Sequence, residues 1–378
     1  MAETKKKNPL IVGINSILGS GVFLASVLSV QYYGGMSVFY WMFAGLIALT
    51  ISIVLRRVYE ESKGNIYEFF KKNYGKGFEK TIKWFYWFGS AMVITAISFA
   101  CSEFLIFVFK WDVGINMFLS MLILITIYGF HSFFKKSINA FLKTLIVIKV
   151  ILIGLFAIII SQLTTNFTFE KTNLDFLGVV FVFWAYLGFE KLITITTKKK
   201  KEYLPMFQTA IIALSAILFA FIVSSIASTP KEILAKSFTL IDLIHQFMSP
   251  AMIALTSTLL LIVLYSVGIS YIEASENLLE FSRKKEIFYQ IFLGLLGIIL
   301  YQNFVNSAII SVFIFISYFG LISLTMLHYW FKKRKKEYIF ESALATFFIL
   351  IMFTSIQLVS FLTILSVFLS ARVYSRIS

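Results

Sequence analysis

Residues 10–30 read LIVGINSILGSGVFLASVLSV, an apolar run long enough to cross a bilayer that carries Gly19, Ser20 and Gly21 near its middle. Glycines that pack membrane helices recur at wider spacing, so a contiguous Gly-Ser-Gly favours local unwinding over a packing stripe. A second run, residues 176–197 (FLGVVFVFWAYLGFEKLITITT), is interrupted in the same way by Gly188 and Glu190. Unwound backbone is tolerated at membrane depth only where it is buried in protein or lines a cavity.

Outward from these two breaks, apolar runs bounded by polar residues predict twelve helices: 9–33, 37–55, 83–109, 114–133, 138–162, 174–197, 204–228, 243–281, 286–302, 305–331, 338–355 and 358–374. The interrupted runs open two five-helix blocks of similar length, 9–162 and 174–331, with 338–374 as two accessory helices. Paired interruptions at matching positions of two halves point to inverted repeats around a midplane substrate site. The expected fold is an all-α polytopic membrane protein in one transmembrane domain spanning 1–378.

Composition agrees with the pattern. Of 378 residues 59% are apolar and 14% charged, against about 45–50% and about 25% in soluble domains. The net charge of +15 arises from 34 Lys and Arg against 19 Asp and Glu, and its placement argues for a membrane and against nucleic acid. Of the 34 basic residues, 27 fall on alternate connections, including Lys5–Lys7, Lys198–Lys201, Arg283–Lys285 and Lys332–Lys336. The positive-inside rule then puts both termini in the cytoplasm of a cell-membrane protein, with the basic runs against anionic lipid. Lys5–Lys7 precede no small-residue cleavage site and read as a topology determinant, while Asn166-Phe167-Thr168 on an external loop matches a glycosylation acceptor. One cysteine, Cys101, forms no internal disulfide, and His131, His245 and His328 are too dispersed for a shared centre. Neither a metal, a cofactor nor an enzymatic constellation is expected.

At these residues the chain resembles the amino acid-polyamine-organocation transporters, which share the LeuT inverted-repeat fold. Asn15 to Phe23 is similar to that family's first-helix GSG(V/I)F motif, and Phe183 to Glu190 to its sixth-helix FxYxGFE motif. Tyr59-Glu60-Glu61 with Gly64 to Glu68 resembles the segment after helix two, Thr144 to Gly154 helix five, and Ala274 to Arg283 the end of helix eight. The resemblance covers about residues 10–285 and implies secondary transport of amino acids, by proton symport or exchange. Its neighbours in function are a non-transporting amino acid sensor and a polyamine or amine carrier.

Physically, the start of the second half of a broken helix presents backbone N–H groups and a dipole end suited to a carboxylate. By resemblance, the N–H groups of Gly19, Ser20 and Gly21 hold that carboxylate, while carbonyls near Ile17, Trp184, Ala185 and Leu187 accept from the substrate ammonium. Trp184 resembles the family's aromatic gate; an ordinary core aromatic is the alternative. Lys149 lies 13 residues past Lys136, about 20 Å along a helix and so near midplane. An ionisable residue there is functional by default. The resemblance sets it near the carbonyls of Asn15 and Leu18 and a helix-eight hydroxyl, Ser266 or Ser270, where sodium-coupled relatives bind an ion. It serves either proton coupling or a permanently charged tether. Glu190 supports the unwound segment or the inner gate. Glu103, near the outer end, attracts a cationic substrate or caps a lattice of hydroxyls, and Glu273 pairs with a buried Lys or hydroxyl or faces the cavity. Two positions depart from the family pattern: Thr197-Lys198 replaces an acidic pair, and Glu276 replaces an arginine. A charge swap between Lys198 and Glu276 reconciles both.

Overall fold

The computed structural model describes residues 8–19, 21–62, 65–135, 137–161, 175–195, 203–235, 237, 239–244 and 249–377. Ser20, Asn166–Thr168, Thr197, Lys198 and His245 lie outside the described residues. Among the described residues every regular element is helical. The first half comprises α1 (Pro9–Ile17), α2 (Ser26–Tyr33), α3 (Met36–Glu61), α4 (Ile66–Tyr74), α5 (Lys76–Phe109), α6 (Asn116–Phe134) and α7 (Ile138–Ser161). The second comprises α8 (Phe176–Phe183), α9 (Lys191–Thr194), α10 (Tyr203–Ala227), α11 (Lys231–Leu234), α12 (Leu240–Ile244), α13 (Pro250–Ser275), α14 (Arg283–Tyr301) and α15 (Phe304–Lys333), followed by α16 (Lys336–Phe353) and α17 (Leu358–Ile377).

Both predicted interruptions are present, and each has a local cause. Pro9 occupies the first turn of α1, where its missing N–H costs nothing, and Asn8 Oδ1 accepts the Leu10 N–H at 3.2 Å. The helix stops at Leu18–Gly19 and resumes through a π-helical turn, Gly21–Ala25, into α2. On the other side, Asp175 caps α8 by accepting the Leu177 N–H at 2.9 Å. That helix tightens into a 3₁₀ turn at Trp184–Tyr186, reverses at Gly188, and restarts as α9. Gly188 has φ +115°, a conformation that side chains rarely adopt, and a Cβ there would lie 2.3 Å from Ser16 Cβ. A Cβ on Gly21 would lie 2.3 Å from both Cα and Cβ of Ala185. The two breaks therefore press backbone against backbone, each sealing the other from lipid.

Around them, burial sorts the helices. The most apolar stretches of α15, the first span (Pro9–Tyr33) and α5 are 78%, 76% and 72% buried, against 28% for α6 and 22% for α17, so the first three are interior and the last two lie on the rim. The helix α7 shows the rule residue by residue. Val147, Ile151, Leu155 and Ile158, spaced by three and four, are more than half exposed or nearly so and face lipid, while Leu142, Leu145, Lys149, Leu152 and Phe156 line the buried stripe. At the lysine-rich end, Asn65 caps α4, and Arg57 of α3 makes a forked pair with Glu341 of α16 at 2.8 and 2.9 Å beneath the Tyr338 ring. At the other flank α17 clasps α5: Trp84 Nε1 donates to Ser370 Oγ at 3.0 Å and its ring stacks on Tyr374.

Nine helical segments among the described residues are long and apolar enough to span a membrane. The other three predicted spans are helical but fall short of that measure. Residues 174–197 are split by their break, and α14 and α16 begin with charged turns, Arg283–Glu286 and Lys336–Glu337. Two further boundaries move. The predicted 83–109 helix starts at Lys76, because Glu79 and Lys83 pair at 2.6 Å and carry the helix beyond the apolar layer. The predicted 243–281 helix is shorter, Pro250–Ser275, since Ser249 and Pro250 start it and Glu276 ends it in extended backbone. Residues 338–374 form two helices parted at Thr354–Gln357.

The contact between the breaks has a direct test. Gly21→Val forces the two backbones apart and costs about 1–3 kcal/mol, the usual range for overpacking, whereas Gly154→Ala on α7 meets nothing within 4 Å. Thermal unfolding of the purified protein in detergent is expected to show a lowered Tm for the first and a wild-type Tm for the second.

Candidate functional site

Lys149 projects from the buried stripe of α7 and is fully enclosed. Its ammonium donates to Asn15 O at 2.6 Å and to Asn15 Oδ1 at 2.8 Å, in the last turn of α1 before the break. Asn15 in turn donates from Nδ2 to Ser266 O at 2.9 Å and to Ser270 Oγ at 2.7 Å, both on α13, and accepts from Ser266 Oγ at 3.3 Å. One amide side chain thus joins three helices. Sequence reasoning set Lys149 near the carbonyls of Asn15 and Leu18 and a helix-eight hydroxyl, and the Asn15 carbonyl is indeed an acceptor. The structure instead inserts Asn15 between the lysine and both serines, and among the described residues Lys149 makes no bond to Leu18.

One residue further along α1, a second buried lysine approaches from another direction, since consecutive helical side chains point about 100° apart. Lys191, the first residue of α9, is fully enclosed, donates to Ser16 Oγ at 2.6 Å, and lies over the face of Tyr271 from α13. Beside it Glu190 accepts the Gly188 N–H at 2.8 Å, which braces the turn that Gly188 makes, and its other oxygen has no hydrogen-bond partner among the described residues. Lys191 falls within the predicted span 174–197. The rule that singled out Lys149, a cation in an apolar run, applies equally to it.

The broken backbone itself is closed in this conformation. Gly19 N–H donates to Ser16 O at 3.1 Å, so it is turned back on its own helix, and the Trp184 carbonyl accepts the Leu187 N–H at 3.2 Å. Ile17, Gly21, Ala185 and Leu187 are all buried at the same junction. The expected carboxylate contact of Gly19 therefore requires its local bond to open, whereas the Trp184 carbonyl keeps a second lone pair for an ammonium. Trp184 meets Phe304, the first residue of α15, edge to face at 5.0 Å. Above this pair, at the end away from the lysine-rich loops, lies a cavity of about 350 Å³ bounded by Tyr32, Tyr33, Glu103, Phe181, Asn306 and Gln357.

Glu103 accepts the Phe304 N–H at 2.7 Å, so it braces the start of α15 at the edge of that cavity. Glu273 lies elsewhere: its partner is His131 of α6, with Nε2 and Oε2 3.1 Å apart. Their neighbour Glu276 takes Lys135 Nζ at 2.8 and 2.9 Å and also pairs with Arg283. Burial pushes the Glu276 carboxyl up, but the Lys135 hydrogen bond and the surrounding positive groups outweigh it and hold the group below its ordinary value. Ligand-type atoms of His131, Glu273 and Glu276 fall within 4.8 Å of one another. With Lys135 and Arg283 already on Glu276, the group is an ion-pair joint of α6, α13 and α14. A swap partner for Glu276 is thus present without Lys198, which lies outside the described residues.

Two interrupted helices that bury each other's backbone inside an all-helical bundle, with enclosed lysines of α7 and α9 both bound to the last turn of α1, define a multi-pass membrane protein of the transporter class. A comparison with known protein families matches the amino acid permease family over residues 10–293, and the chain belongs to that family. Among curated proteins, no match is found.

If the Lys191–Ser16 bond holds α9 against α1, its loss exposes the space between them. In a Cys101→Ala background with Thr194→Cys, Lys191→Met is expected to raise the rate of maleimide labelling several-fold. An unchanged rate shows that the bond does not hold this seam.

Proposed function

We propose that the chain moves amino acids across the cell membrane by alternating access, with both termini in the cytoplasm and proton movement at Lys149 as the coupling step. The observation that supports this most is the Lys149–Asn15 contact. A cation enclosed in the membrane interior is costly unless it is paired or reaches water, and no carboxylate among the described residues lies within ion-pair distance of this one. Its acceptors are two neutral oxygens of Asn15. Giving up its proton removes the charge that draws α7 onto α1, and through Asn15 weakens the link to α13. Taking up a proton restores both.

In this reading the halves 9–162 and 174–331 are repeats that tilt against each other, with 338–374 accessory. The substrate carboxylate lies at the N–H groups of Gly19, Ser20 and Gly21 once Gly19 leaves Ser16. The ammonium is taken by carbonyls near Ile17, Trp184, Ala185 and Leu187. Trp184 covers the substrate from the cavity side, and Glu190 keeps the Gly188 turn in shape while Lys191 holds the opposite side shut. Two lysines, Lys149 and Lys191, stand against one glutamate, Glu190, around the breaks, and protonated they suit an approaching carboxylate.

Reconstitution into proteoliposomes tests this. Uptake of a panel of labelled amino acids is expected, driven by an inward proton gradient, and Lys149→Ala is expected to abolish the gradient-driven part. Uptake with the wild-type rate and pH dependence in Lys149→Ala overturns the coupling role. Uptake that needs internal counter-substrate and ignores the gradient identifies exchange. Binding without flux identifies a sensor.

A further inference from the structure

The cavity at the end away from the basic loops carries chemistry that the transport reading leaves unused. About 350 Å³ is enough for an amino acid-sized guest. Glu103 faces it from α5, and its carboxylate is engaged by the Phe304 N–H and approached by the Asn116 side chain, both neutral groups. No Lys, Arg or His among the described residues forms an ion pair with it. The start of α15 already has its own cap, Asn303 Oδ1 to the Asn306 N–H at 2.9 Å, so capping alone does not call for a carboxyl group at this place.

The rest of the lining complements that charge. Tyr32, Tyr33 and Phe181 offer aromatic faces, which attract organic cations, and the side-chain carbonyls of Asn303, Asn306 and Gln357 are acceptors for N–H donors. A second carboxylate, Asp175, lies within electrostatic reach of Tyr33. The floor connects to the sixth-span break through Phe304, whose N–H holds Glu103 and whose ring packs on Trp184. Below, toward α1, the enclosed side chains carry two lysines and one glutamate, Lys149, Lys191 and Glu190. The cavity thus offers acceptors for an ammonium, and the break offers backbone N–H donors for a carboxylate.

We propose that this cavity is a recognition subsite for an organic ammonium group, with Glu103 as its anion, and that the chain selects substrates bearing a second amino group, of the lysine and ornithine kind. The subsite rests on the transport reading above. A diamino acid has a group for each end: with the Trp184–Phe304 contact opened, its carboxylate leads toward the first-span break while its distal ammonium stays beside Glu103 under the aromatic faces.

Glu103→Gln is the informative variant, because its amide oxygen still accepts the Phe304 N–H while the charge is gone. Uptake of labelled lysine, ornithine, putrescine and leucine is measured in proteoliposomes for the wild type and the variant, with Tm as a check on folding. A charged hydrogen bond is worth about 1.5–3 kcal/mol, so the lysine-to-leucine ratio of kcat/KM is expected to fall at least about tenfold in the variant. Putrescine uptake with the same dependence on Glu103 assigns the subsite to amines without a carboxylate. A wild type that carries leucine and no cationic substrate overturns the subsite and leaves transport standing, as does an equal loss for lysine and leucine in Glu103→Gln, which marks Glu103 as a brace for α15. Absence of uptake for every compound overturns the transport reading itself.

Discussion

A backbone that stops being helical inside a membrane must hide its polar groups, because lipid offers no hydrogen bonds. That constraint governs this molecule. The interruption after Ile17 and the one at Trp184–Gly188 are placed against each other so closely that Gly21 and Gly188 have no room for a Cβ. The neighbours follow from keeping the two breaks dry and aligned: α15 packs on α8 and on the turn at Trp184–Tyr186, and α13 lies against α1 through Asn15. The same requirement sets where charge is admitted. Both enclosed lysines meet the last turn of α1, on the neighbouring residues Asn15 and Ser16, where backbone and side-chain oxygens are concentrated by the break.

Charge in the bundle is partitioned by depth and by side. Among the described residues, near one end Glu103 edges a cavity without a basic partner; around the breaks two lysines outnumber one glutamate; at the lysine-rich end, cations and carboxylates are matched, as in Arg57 with Glu341 and Lys135 with Glu276. Matched surface pairs contribute little individually. Unmatched interior charges are costly, and a chain that keeps them uses them. Stability accordingly resides mostly in apolar packing and in the helix clasp of α17 on α5, and the polar interior serves motion and recognition.

The architecture was readable because its signals are local. Span length, the contiguous glycines and the alternation of basic loops each lie within one stretch of chain, and the helices appear close to where the apolar runs place them. The charged ends of α5 and α14 were misjudged at their boundaries, since an ion pair such as Glu79–Lys83 extends a helix without any apolar signature. The site was legible only in part. Lys149 and Asn15 were singled out, but that Asn15 stands between the lysine and both serines depends on contacts across 134 and 251 or more residues, which no local pattern encodes. The pairing of His131 with Glu273, 142 residues apart, is of the same kind. Lys191 differs: its position in an apolar run was visible, and its importance emerged only when Ser16 and Tyr271 were found around it.

The basic first turn of α14 has a consequence for the surrounding lipid. After Arg283–Glu286 the helix runs from Ile287 to Tyr301, about 22 Å of axis at 1.5 Å per residue against a hydrocarbon layer of about 30 Å. Its outer face is lipid-directed, with Phe288, Phe292, Leu296 and Leu300 all exposed. A short apolar face on the rim pulls the nearby headgroups inward, so the bilayer thins along this flank. Any tilt of α14 relative to α5 changes how much the membrane must bend there. Through this one helix, the thickness of the host bilayer becomes a force on the bundle.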